Sequence, residues 1–321
     1  MNPHDTLVAG LSEKIHDLMY HTSGGRIRFQ TNSNKVIIRT TSVGPSSLPH
    51  LSPVAVMGMD IYAKASNTPG KPEFVTSCIP KPIDNTHCES SFQFANSDNC
   101  MREITLYLPL YSKVKSIEIG LEESADVAEP HAYATDLPVV FYGSSITQGA
   151  CSSRPGNSYP AILSRLLDCD FLNLGFSGNA HGEAALAEYI SKIPMSAFVL
   201  EYDYNAQSVQ KLEDTHFNFY QIIRDTNPDL PIIMMSAPVS PPAILIVGEK
   251  RMEMSRIAVM ESYIRAKRAG DNNVYFIDGE SLLGDICAKD ALLDRVHPTD
   301  LGFQSMANRV YPILRFVRYG I

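Results

Sequence analysis

A chain of 321 residues, 44% hydrophobic and 19% charged, has the balance of a water-soluble globular protein and the length for two domains. Its formal net charge of −8, with no clustered run of Lys and Arg, argues against a general nucleic-acid binder, which must neutralise phosphates. No stretch reaches the roughly 20 apolar residues of a membrane-spanning helix.

The first 25 residues lack the charged-then-apolar pattern of a secretory leader, so a cytoplasmic location is expected. Cys78, Cys88, Cys100, Cys151, Cys169 and Cys287 form no CxxC pair, which disfavours a zinc site or a redox dithiol. The first three lie close enough in sequence to pair, but in a cytoplasmic protein free thiols are the expectation.

Taken in order, the first elements are strands. RIRFQT (Arg26–Thr31), KVIIRT (Lys35–Thr40), EITLYLPL (Glu103–Leu110) and VKSIEIG (Val114–Gly120) alternate or are rich in β-branched residues, with turn-rich segments between them. Several short strands without intervening helices predict an antiparallel β-sandwich over residues 1–130. The segment Glu122–Pro138 reads as a linker.

From there strands and helices alternate, predicting an α/β domain over residues 131–321. PVVFYG, DFLNLG, AFVLEYD, LPIIMMSAP and NVYFID are five apolar strands, each followed by a helical pattern or a short helical segment. Such a chain builds a parallel sheet covered on both faces, and ligands of such sheets bind beyond the carboxyl ends of the strands.

Four segments sit there. Gly143-Ser144-Ser145-Ile146-Thr147-Gln148-Gly149 follows the first strand; it has the wrong spacing for a phosphate loop and lacks the closing glycine of the GxSxG elbow. Either serine caps the next helix or acts as a nucleophile there. GFSGNAHGE (Gly175–Glu183) follows the second strand, its small residues letting a backbone N–H approach a ligand. EYDYNAQS follows the third, with Asn205 as a possible amide donor or a turn residue. Asp294 and His297, in DRVHP after the fifth strand, form a spacing in which a carboxylate orients an imidazole. A serine alcohol needs such a base, so the four segments support one another.

Together these residues resemble the SGNH (GDSL-like) hydrolase superfamily, whose four blocks contribute Ser, Gly, Asn and His. GSSITQG matches the first block with Ser144 in place of the usual Asp, GFSGN the second, EYDYN the third and DRVHP the fourth. The resemblance implies a flavodoxin-like, three-layer α/β/α domain in which Ser145 is the nucleophile, His297 its base and Asp294 the residue that orients His297. It implies an oxyanion hole of the Ser145 and Gly178 N–H groups and the Asn205 amide, with Gly175 an alternative to Gly178. Ala206 stands where many relatives have Asp. Upstream, MGMDIYAK (Met57–Lys64) resembles the GxDLY motif of a jelly-roll-like, carbohydrate-binding-like domain that precedes some of these enzymes. Asp60 and Tyr62 are expected to serve that sandwich as a turn and packing motif.

The activity implied is hydrolysis of a short-chain ester, acetyl above all, of a carbohydrate or similar small polar alcohol, with no metal or organic cofactor. An acyltransferase with the same residues is the first alternative, and a catalytically silent carbohydrate-binding protein the second. Arg154, just past the nucleophile loop, is a candidate substrate contact or a surface ion pair. Val239–Lys250 is a candidate lid or acyl-pocket wall, or equally a contact between domains or subunits. The partner expected is a small-molecule or carbohydrate ester, with no nucleic acid and no membrane; a homo-oligomer is left open.

Overall fold

The structure is a computed structural model and describes residues 10–43, 48–65, 70–81, 86–95, 100–239, 249–284, 288 and 290–320. A short helix α1 (Glu13–Leu18), capped by the Ser12 side chain, precedes eight strands. These are β1 (Arg26–Thr31), β2 (Lys35–Val43), β3 (Met59–Ala65), β4 (Glu73–Cys78), β5 (His87–Gln93), β6 (Arg102–Tyr107), β7 (Lys113–Gly120) and β8 (Val127–Ala128). Helix α2 (Pro53–Met57) lies between β2 and β3.

The strands form one five-stranded sheet, β4-β3-β6-β1-β8, and one three-stranded sheet, β5-β2-β7; every pairing is antiparallel. Alternating residues of the two sheets, among them Val36, Ile38, Met59, Ile61, Ile104 and Leu106, meet in one buried core. Because side chains of a strand alternate between faces, Asp60 and Tyr62 lie on the side of β3 opposite Met59 and Ile61, turned toward the second half of the chain.

The expectation of free thiols is corrected here. Cys78 ends β4 in the larger sheet and Cys88 lies in β5 of the smaller one, and a disulfide joins them across the sandwich core. Their Cα atoms are 6.2 Å apart, a separation that a disulfide spans, and both residues are buried. Ten residues of sequence separate them, and only the stacking of the sheets makes them face each other.

The second half is a five-stranded parallel sheet in the order β10-β9-β11-β12-β13. Its strands are β9 (Thr135–Gly143), β10 (Cys169–Gly175), β11 (Ala197–Glu201), β12 (Ile232–Met235) and β13 (Val274–Ile277). This is the doubly wound order 2-1-3-4-5. Even-numbered residues of the central strands, such as Val140, Tyr142, Phe198 and Leu200, pack under α1, α5 (Ala184–Ile190), α6 (Val209–Thr226) and α7 (Glu249–Arg268). Odd-numbered ones, such as Val139, Phe141, Ala197 and Val199, pack under α4 (Tyr159–Leu167), α8 (Gly279–Leu282) and α9 (Asp300–Tyr319). Buried on both faces, these strands are nearly all apolar, as the sequence predicts. Among the described residues no helix is long and apolar enough to cross a membrane.

The halves share apolar contacts. Tyr62 and Tyr107 of the sandwich join the odd-numbered layer, while Leu51, Ala55, Val56 and Tyr111 pack against Ala150 just past the nucleophile loop.

Candidate active site

Gly143, Gly175 and Glu201 end three neighbouring strands and stand side by side in register. From this common level three loops leave the sheet on either side of β9, where the strand order reverses. Two glycines are dictated by close approach. A Cβ on Gly143 would lie 2.2 Å from the Glu201 carbonyl oxygen, and one on Gly175 would lie 2.2 Å from the Gln148 nitrogen.

Ser144 and Ser145 are placed differently. Ser144 caps helix α3 (Ser145–Gln148), its Oγ accepting from the Ile146 N–H at 3.1 Å. Ser145 opens that helix and lies at the cleft, 2.9 Å from Oγ to His297 Nε2. Nδ1 of His297 is 2.7 Å from Asp294 Oδ2. The other Asp294 oxygen accepts the N–H groups of His297 at 2.8 Å and Val296 at 3.1 Å, which fixes the carboxylate against the ring. Burial alone would raise the Asp294 pKa; these N–H groups and the imidazole outweigh it and hold the group below its usual value. An isolated bridge between Leu292 and Pro298 closes the loop that carries both residues.

A carboxyl group that sequence reasoning did not single out supports the nucleophile loop from below. Glu201, fully buried, lies 3.1 Å from Ser144 Oγ and accepts from Thr147 Oγ1 at 2.8 Å, while its carbonyl accepts the Ser144 N–H. Burial, with Asp203 nearby, pushes Glu201 up to about 8 against the opposing Thr147 and Ser144 hydroxyls; Asp203, also buried, is pushed up to about 6. An Asp in place of Ser144 would set a second carboxyl group against Glu201. Two acidic residues, Glu201 and Asp203, at the end of the apolar run AFVLEYD are the signal that would have found it.

The Ser145 and Gly178 N–H groups have no acceptor among the described residues, and both residues line the cleft. The Gly175 N–H, by contrast, donates to Asn173 Oδ1 at 2.9 Å. Asn205 Oδ1 accepts from the Ala180 N–H at 3.5 Å, so its NH2 is the end left to donate. Gln148 ties the loops together: its Oε1 accepts the Ser177 N–H and its Nε2 donates to the Leu110 carbonyl of the first half. Ala206 is packed in the core.

The cleft measures about 280 Å³, and the first half of the chain builds one wall of it with Leu48, His50, Leu51 and Tyr111. Arg154 is not among its lining residues; of the two roles the sequence leaves open, an ion pair is the one it makes. Its guanidinium is committed to Asp60 Oδ2 at 2.8 Å and the Tyr62 hydroxyl at 2.7 Å, and lies 3.8 Å over the Phe74 ring. Asp60, fully buried, also accepts from Gly156 N and Ser77 Oγ at 2.7 Å each. The GxDLY-like motif thus clamps the sandwich to the loop after the nucleophile. Of the candidate lid Val239–Lys250, residues 240–248 lie outside the described residues. Cys151, beside the relay, has its thiol pushed up to about 12 by burial and the Asp294 charge, so it stays protonated at neutral pH.

Comparison with known proteins accords with this geometry. A model of the GDSL-like lipase/acylhydrolase family matches residues 136–315, more than half of the chain. The chain belongs to that family. A second family model, for the N-terminus of SGNH-hydrolase-type esterases, matches residues 4–127 of this GDSL-like protein. It is similar to a GDSL-like lipase of Bacteroides ovatus, with 31% identity and a TM-score of 0.86 over 96% of this chain and 89% of that one. Two further structures share its fold. The salicylyl-acyltransferase SsfX3 of a tetracycline biosynthetic pathway has 20% identity and a TM-score of 0.77, covering 98% of this chain and 90% of that one. A family two carbohydrate esterase from Clostridium thermocellum, solved with cellohexaose, has 17% identity and a TM-score of 0.59, covering 92% and 93%. A search of the curated proteins returned no match to this GDSL-like chain.

Proposed function

We propose that this protein is a serine esterase that removes a short acyl group, acetyl above all, from a carbohydrate or similar small polar alcohol. The observation that carries the reading is the unbroken relay from Ser145 Oγ through His297 to Asp294, at 2.9 and 2.7 Å, at the edge of a cleft that also holds unspent N–H donors. His297 takes the hydroxyl proton as Ser145 attacks the ester carbonyl, and Asp294 holds the ring and offsets the charge it gains. The tetrahedral oxyanion is met by the Ser145 and Gly178 N–H groups and the Asn205 amide. His297 then gives its proton to the departing alcohol, and water, activated by the same imidazole, frees the acyl group.

The small cleft, with Leu48, Leu51 and Val296 in its walls, suits a short acyl chain. The same two-part fold carries ester chemistry in the family two carbohydrate esterase, which makes acetylated sugars the first substrates to try. Transfer to an alcohol instead of water uses the same relay, and product analysis with added acceptor alcohols separates the two. The reading predicts that Ser145→Ala abolishes hydrolysis of p-nitrophenyl acetate and of acetylated sugars while far-ultraviolet circular dichroism is unchanged. Ser144→Ala, which removes a helix cap and a hydrogen bond to Glu201 but no reacting group, should retain most of the activity. Turnover surviving in Ser145→Ala would overturn the assignment.

A further inference from the structure

We propose that the rim of this cleft is a binding site for a thiophilic divalent cation such as Zn2+, formed by His50, Cys151, Asp294 and His297, and that its occupancy switches the esterase off. The switching rests on the functional reading above; the binding does not.

One donor atom from each of the four residues, two imidazole nitrogens, a thiol sulfur and a carboxylate oxygen, lies within 4.8 Å of all the others. Zn2+ bonds of about 2.0–2.3 Å in a tetrahedral site set neighbouring donors roughly 3.3–3.6 Å apart, so the widest pairs must contract by about 1 Å while the 2.7 Å His297–Asp294 pair opens as the cation takes the place of its shared proton. Two members are already fixed: Asp294 is held by backbone N–H groups and bonded to His297. The other two give up few contacts, and the Cys151 thiol releases its proton to solvent as it binds. His50 is exposed, its ring centroid 5.7 Å from that of His297, and the Cys151 thiol makes a long contact of 3.7 Å to the His50 carbonyl oxygen. A set of two nitrogens, one sulfur and one oxygen suits Zn2+ and excludes Mg2+ and Ca2+, which take oxygen ligands.

Neither His50 nor Cys151 has a part in the acyl transfer described above, yet both crowd its base. Once His297 is a ligand, it cannot accept the Ser145 proton. The four ligands come from both halves of the chain, with His50 before β3 and the others after β9, so the cation would also pin the halves together at the cleft mouth.

The test begins with Zn2+ titrated calorimetrically into the full-length Ser145→Ala protein, which lacks the nucleophile but keeps all four ligands. One site per chain is expected. Cys151→Ser and His50→Ala, each added to that background, should weaken binding at least tenfold, about the lower end of what loss of an outer-shell partner alone costs. Mg2+ at the same concentrations should give no binding heat. In the protein with Ser145 intact, Zn2+ should suppress p-nitrophenyl acetate hydrolysis with the same midpoint, EDTA should reverse it, and Cys151→Ser should hydrolyse normally yet need at least about tenfold more Zn2+. No saturable binding, or binding that both substitutions leave unchanged, overturns the site. Binding that responds as expected while hydrolysis continues at full rate overturns the switch. Binding that responds as expected, with Ser145→Ala still hydrolysing ester, overturns Ser145 as the nucleophile and leaves the cation site standing.

Discussion

Arg154 and Asp60 lie 94 residues apart in sequence and 2.8 Å apart in space, and their ion pair joins the sandwich to the loop that follows the nucleophile. Burial raises the Asp60 pKa, and the Arg154 charge with the Ser77 and Gly156 donors works against that rise. Arg154→Ala therefore leaves a carboxylate buried without its cation, a loss of about 3–5 kcal/mol. Urea unfolding checks it. A carboxyl group whose folded pKa is raised takes stability away as pH rises through that value, so the deficit should be larger at pH 8 than at pH 5.

Glu201 gives a second pH signature. With its folded pKa up from 4.5 to about 8, it contributes stability that is complete below about 4.5 and is lost as pH rises through about 8. The urea midpoint of the unaltered protein should fall between pH 6 and pH 9. Glu201→Gln cannot ionise and keeps hydrogen-bonding capacity toward Ser144 and Thr147, so its midpoint should be flatter over that range. The slope that persists should sit nearer pH 6, where Asp203 titrates.

Asn205 offers its NH2 because its carbonyl oxygen is engaged by Ala180. Asn205→Ala should lower kcat roughly 100- to 1000-fold, the usual cost of one oxyanion donor, with KM little changed. Steady-state kinetics on p-nitrophenyl acetate distinguishes this from a binding defect, in which KM would rise at constant kcat.

The Cys78–Cys88 bond closes a short loop between the two sheets. Peptide mapping without reductant should recover the two cysteines as one cross-linked species. Reduction should lower stability by about 2–3 kcal/mol, because the unfolded chain then regains the freedom of that loop. Cys169, free in the folded chain, should alkylate in denaturant before any reductant is added.

Much of this molecule is legible in its amino-acid order, and the limit has a physical cause. The five parallel strands stand out because burial on both faces makes them continuous apolar runs, and the site segments stand out because each begins where such a run ends. Boundaries shift where pattern is weak: β9 begins at Thr135, inside the segment read as linker. What escapes notice depends on contacts distant in sequence. Nothing local in MGMDIYAK says that Asp60 will meet Arg154, nor does HCESSFQ say that Cys88 will face Cys78. Glu201 carries no local mark of its role, because acidic residues at a strand end look like a turn until the loops close over them.

Leu48, His50, Leu51 and Tyr111 reach the cleft from the first half of the chain, while the relay belongs to the second. Reactivity and selectivity would thus have separate addresses in the gene. Substitutions at Leu48 or Leu51 should alter which ester is accepted without disturbing the 2.7 and 2.9 Å geometry of the relay. Exchanging the first half between relatives would transplant a preference onto an unchanged reaction. A fragment starting at residue 131 would carry the whole relay into a cleft open on one side.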